Sequence, residues 1–80
     1  GDVRFEPLSA LVAQEKGLAD IKHISSKARD FLQADGWLMF EHGYDQASAV
    51  REILTSLGYQ QVESFKDYGD NDRVTVGQWP

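Results

Sequence analysis

The spacing of apolar positions changes twice along this chain, and both changes fall around one run, Trp37-Leu38-Met39-Phe40. That run is unbroken, fenced by Gly36 and Gly43, and followed by Glu41 and His42. An apolar stretch so short between two glycines predicts a strand buried on both faces. Helical spacing flanks it. From Leu18 to Ala34, the residues Ile21, Ile24, Ala28, Phe31 and Leu32 fall on one stripe, while Lys22, Lys27, Arg29 and Asp30 fall mostly opposite. Asp35-Gly36 stops this first helix, with Gly36 suited to the left-handed cap. A second helix opens at Tyr44 and Asp45, buries Ala47, Val50, Ile53, Leu54 and Leu57, and ends at Gly58.

Tyr59 to Tyr68 predicts a second strand of mixed polarity, anchored by Val62 and Phe65. Tyr68-Gly69-Asp70-Asn71-Asp72 is a turn on composition, and Val74-Thr75-Val76 a short third strand. The first two strands are joined through a helix and should run parallel; the last two are joined by a turn and should run antiparallel. Gly1 to Lys16 has no clean period. Pro7 disfavours helix at Glu6, and Leu8, Ala10, Leu11 and Val12 fit either a helical turn or a packed loop. The expectation is an α/β arrangement of two helices and three strands over 17–80, preceded by a loop over 1–16, with both helices on one face of the sheet. The other face of the Trp37 strand, and its outer edge, would then be bare. Such surfaces invite a second copy of the chain.

Composition narrows the classes. Eighty residues form one domain at most. A hydrophobic share of 41% is too high for a disordered chain. There is no cysteine, which excludes disulfides and thiolate metal sites and fits a reducing cytoplasm. No apolar run approaches the roughly 20 residues of a membrane span, and no signal peptide is visible. A net charge of −5 repels a nucleic-acid backbone. The chain begins at Gly1 rather than Met, so it is expected to be a piece of something larger.

Candidate chemistry is sparse. Glu41, His42 and His23 match no metal-ligand spacing, and a hydrogen-bonded strand-end histidine is the better expectation. Asp67, Asp70, Asn71 and Asp72 lack the glycine and glutamate positions of a calcium loop. A solvated hairpin turn, with Arg73 in a local ion pair, accounts for them. Ligands in open α/β sheets sit beyond the carboxyl ends of the strands, which points to Glu41, His42 and Gly43.

Four segments carry a resemblance. Asp2-Val3-Arg4-Phe5-Glu6-Pro7-Leu8-Ser9-Ala10-Leu11 is similar to the segment just after the catalytic motif of the HemK family, the protein-(glutamine-N5) methyltransferases that modify peptide chain release factors. Gly17-Leu18-Ala19-Asp20, then Gly36 to Gly43, then Asp67 to Val74 resemble later family segments in the right order. The resemblance implies the C-terminal part of a class I (Rossmann-like) S-adenosylmethionine-dependent methyltransferase sheet, whose last strand is antiparallel and lies between its two predecessors. It implies Arg4, Glu6, Pro7, Glu41, His42 and Gly43 at the border of a glutamine pocket, with release factors as partners. The family's glycine-rich cofactor loop, ribose-binding acid and Asn-Pro-Pro-Tyr motif are not in this sequence. The resemblance therefore places no catalytic and no cofactor residue here, and S-adenosylmethionine on the part that is missing. Two other readings stay open: a piece of an adenine-N6 DNA methyltransferase, and a free-standing small α/β interaction module.

Overall fold

A computed structural model of the chain describes residues 8–14 and 16–80. Its elements are β1 (Leu8–Ala13), α1 (Leu18–Ala28), β2 (Leu32–Glu41), α2 (Ala47–Ser56), β3 (Gln60–Lys66) and β4 (Asp72–Gln78). They form a four-stranded mixed sheet in the order β1-β2-β4-β3. β1 runs parallel to β2, and β4 is antiparallel to both of its neighbours. The last strand therefore sits between β2 and β3, where the family resemblance places it.

Both helices cover one face. Leu38 and Phe40 of β2 are fully buried against Ile21 and Ala28 of α1 and Val50 and Leu54 of α2. Gly77 of β4 lies opposite Leu38 on this face. A Cβ there would stand 3.0 Å from Tyr59 Cβ and 3.3 Å from Leu54 Cδ1, so the glycine lets the end of α2 settle onto the sheet. Gly58, with φ at 100°, closes α2 as predicted. The Tyr59 N–H donates to the Leu54 carbonyl and the Gly58 N–H to that of Thr55, which is the bonding of a Schellman cap.

Five expectations need correction. Leu8–Ala13 is a strand, not a loop or helical turn, and it pairs with the edge of β2 that was expected to be bare. The first helix ends at Ala28, six residues early. Asp30 and Phe31 donate to carbonyls three residues back, tightening the chain into a turn. Leu32 then enters β2, because β1 offers it a partner: the register sets Leu8 opposite Leu32 and Ala10 opposite Trp37. Residues 33–36 bulge outward between those pairs. The left-handed residue there is Asp35, at φ 68°, and not Gly36. Gly36 is needed for space, since a Cβ would meet the Leu8 carbonyl oxygen at 2.8 Å. Phe31 and Phe65, expected in the core, are about half exposed. Finally, β2 is fully buried on the helix side only; Trp37 and Met39 are partly exposed on the other.

The C-terminal ends of the helices are tied together. Arg29 donates to the Ser26 carbonyl and hydroxyl and reaches the Leu57 carbonyl at 3.5 Å. Beside it, the Tyr59 hydroxyl donates to the Ser25 carbonyl at 2.7 Å, and its ring packs against Trp79 with centroids 5.2 Å apart. Burial pushes the Tyr59 phenol up to about 12 from its ordinary 10, against a smaller opposing pull from Arg29. The folded state thus holds this proton more tightly than the unfolded chain does. The resulting stability is complete below pH 10 and is lost as pH rises towards 12. Tyr59→Phe should flatten that alkaline loss relative to the parent sequence, as read by urea unfolding across pH 9 to 12, while losing about 1 kcal/mol at neutral pH for the missing hydrogen bond.

Candidate functional site at the carboxyl end of β2

β2 runs out at Glu41, and its last three residues of interest point three ways. Glu41 is exposed on the face away from the helices, opposite Val74. His42 turns inward and is 2% exposed. Gly43 begins the turn into α2. Its N–H donates to Gln46 Oε1 at 2.7 Å, while the Gln46 N–H donates back to the Gly43 carbonyl at 3.0 Å. The turn into α2 is thus closed twice, once by the Gln46 side chain and once by a backbone turn bond.

The buried His42 ring is satisfied on both sides. Nδ1 lies 2.9 Å from the Gly43 carbonyl and Nε2 lies 2.6 Å from Thr75 Oγ1. Thr75 Oγ1 lies 2.6 Å from Ser64 Oγ, which accepts from the Arg51 guanidinium at 2.8 Å. The strand-end histidine is hydrogen-bonded, as expected, but its side-chain partner is Thr75 of β4, through which the row reaches Ser64 of β3 and Arg51 of α2. His23 is exposed on α1. Among the described residues no group of His, Cys, Asp or Glu is placed to hold a metal ion.

The β3–β4 hairpin flanks this end of the sheet. Asp67 Oδ1 accepts the N–H groups of Gly69 and Asn71, and Oδ2 accepts Arg73 Nε at 3.1 Å. The Asn71 N–H above all, with help from Arg73 and the Gly69 N–H, holds the Asp67 carboxyl below its usual range. The Arg73 guanidinium in turn lies over the Tyr44 ring, 5.8 Å from its centre. The expected solvated turn and its local ion pair are both present. Sequence reading missed their reach across to Tyr44, and it missed Thr75, Ser64 and Arg51 entirely. Of the other predicted site residues, Arg4, Glu6 and Pro7 lie outside the described residues.

An open α/β sheet places a ligand, where it has one, beyond the carboxyl ends of its strands, and Glu41, His42 and Gly43 lie there. The particular resemblance is close. The chain is 65% identical over 79 residues to the release factor glutamine methyltransferase of Vibrio cholerae, 57% to that of Yersinia pestis and 53% to that of Escherichia coli. Each match covers 99% of this chain, yet the chain spans only 28–29% of the length of those relatives. No protein-family model matches it.

Proposed function

We propose that these residues are the C-terminal part of a cytoplasmic enzyme that methylates the side-chain amide nitrogen of a glutamine in peptide chain release factors, with S-adenosylmethionine as donor. The observation that carries this reading is similarity along 99% of the chain to proteins of that name. The sheet order supports it, because the inserted antiparallel strand is the arrangement that the resemblance implies. Arg4, Glu6, Pro7, Glu41, His42 and Gly43 would border the glutamine pocket. His42 is buried, so its contribution there passes through the backbone it holds.

The described residues do not themselves fit the methyl donor. Each of the two strand-to-helix turns at the carboxyl end of the sheet, before α1 and before α2, has one glycine among its described residues, Gly17 and Gly43, and the Gly43 N–H is already taken by Gln46. Neither is a glycine-rich loop of the kind that cradles a nucleotide cofactor. The donor therefore belongs on the rest of the protein. Among the described residues no helix is long and apolar enough to cross a membrane.

The test is to incubate the full-length protein with S-adenosylmethionine and a release factor and to map the product by peptide mass spectrometry. One methyl group on a glutamine side chain is expected. Methylation of adenine in duplex DNA instead, with the release factor untouched, would contradict the reading. Glu6→Ala in the same protein should lower turnover by roughly tenfold or more, the scale of a lost positioning contact, with little change in melting temperature. Parallel loss of both would make Glu6 structural.

A further inference from the structure

The polar contacts around His42 have a direction. A guanidinium can only donate, so Arg51 donates to Ser64 Oγ. A backbone carbonyl can only accept, so the Gly43 oxygen receives the hydrogen on His42 Nδ1. With both ends fixed, a single hydrogen on the imidazole is enough to set the interior. The neutral imidazole that carries its hydrogen on Nδ1 has a bare Nε2, which must accept from the Thr75 hydroxyl. Thr75 has then spent its one hydrogen, so the 2.6 Å contact to Ser64 is Ser64 donating to Thr75. Every hydrogen in the row is used once, and all run the same way: Arg51 to Ser64 to Thr75 to His42 to the Gly43 carbonyl. The opposite tautomer would set an Nδ1 lone pair against a carbonyl lone pair.

A buried histidine that needed only satisfying could have made do with its two neighbours. This row instead crosses the sheet from β3 through β4 to the end of β2, and starts from α2. Ser64 and Thr75 are direct cross-strand partners, and Thr75 pairs with Phe40, two residues before His42. Thr75 and His42 are both essentially inaccessible to solvent. The Gly43 carbonyl, which receives the last hydrogen, also accepts from Gln46 and so sets the first turn into α2.

We propose that His42 is a positioning residue: the row from Arg51 fixes its imidazole as the Nδ1–H tautomer, and that N–H holds the Gly43 carbonyl and with it the Glu41–Gln46 turn. For the reaction it serves, this rests on the function proposed above. Its role is to keep the strand end in one geometry while Glu41 faces solvent beside the substrate. Rigid support of this kind raises turnover rather than binding, because a small displacement of a positioning group costs rate steeply.

The test uses the full-length protein with its histidines labelled with nitrogen-15. Imidazole nitrogen spectra should show His42 with a protonated Nδ1 and a bare, hydrogen-bonded Nε2, and Thr75→Val should move the Nε2 signal. A His42 protonated on Nε2 alone overturns the proposal. In the methyl-transfer assay, His42→Asn retains an N–H near the Nδ1 position, whereas His42→Gln places its amide near Nε2 and leaves the Gly43 carbonyl with the Gln46 N–H alone. His42→Gln should be the slower in kcat by about tenfold or more, with KM for the release factor little changed. Equal losses in the two variants that follow their melting temperatures would also overturn it. A wild-type protein that methylates no glutamine would instead defeat the proposed function, and the tautomer measured on the same sample would still decide the hydrogen-bonded row.

Discussion

Phe40→Ala is expected to bring the 80-residue chain to the edge of unfolding. Phe40 is fully buried between the two helices and is among the largest such side chains. It also stands opposite Thr75, a member of the polar row to His42. Truncating a buried phenylalanine costs about 3–5 kcal/mol, part from lost transfer free energy and part from the cavity left behind. A chain of this size has a total stability of about 4–12 kcal/mol. The loss is therefore a large fraction of the whole. Met39→Ala, one residue away on the partly exposed face, should cost far less, since Met39 was never fully withdrawn from water. Urea denaturation of both variants checks the contrast. Equal midpoints would mean that the helix face of β2 is not the core.

The same 80 residues, taken alone, are expected to self-associate. The edge of β2 is closed by β1, so the exposed surface that remains is the face opposite the helices. Cross-strand register puts Val12, Met39, Val76 and Glu63 in one row there, of which Val76 is already buried, and Glu41, Val74 and Phe65 in the next. Val12 is 58% and Phe65 48% exposed. Each such side chain gains about 1.5–3 kcal/mol on full burial, which favours stacking this face on that of a second copy. Sedimentation at micromolar concentration should show a dimer or larger species, and Val12→Lys with Phe65→Lys should return it to monomer. A parent chain that is monomeric at every concentration would contradict the prediction.

What the sequence displayed, it displayed locally. Trp37-Leu38-Met39-Phe40 is legible because nothing but a strand buries such a run between glycines, and α2 because its stripe and Gly58 agree. The early end of α1 was not legible. Ile24, Ala28 and Leu32 continue a helical stripe perfectly well, and only pairing with the distant Leu8 draws Leu32 into β2. β1 itself is six residues of weak alternation whose partner lies some two dozen positions away. The site divides the same way. Glu41, His42 and Gly43 were found as the end of an evident strand. Thr75, Ser64 and Arg51 meet His42 only through separations of 33, 11 and 13 residues, and no spacing rule reports that. The position of β4 came from resemblance rather than periodicity, since a short β-branched strand suits an edge as well as a centre.

On the proposed function, this sheet is the scaffold and substrate side of a methyltransferase whose donor is bound elsewhere. Calorimetric titration of S-adenosylmethionine into the full-length protein and into the 80-residue chain, the latter first shown to be folded by circular dichroism, tests this most directly. Binding heat from the full-length protein alone is predicted. Micromolar affinity in the folded 80-residue chain would contradict it.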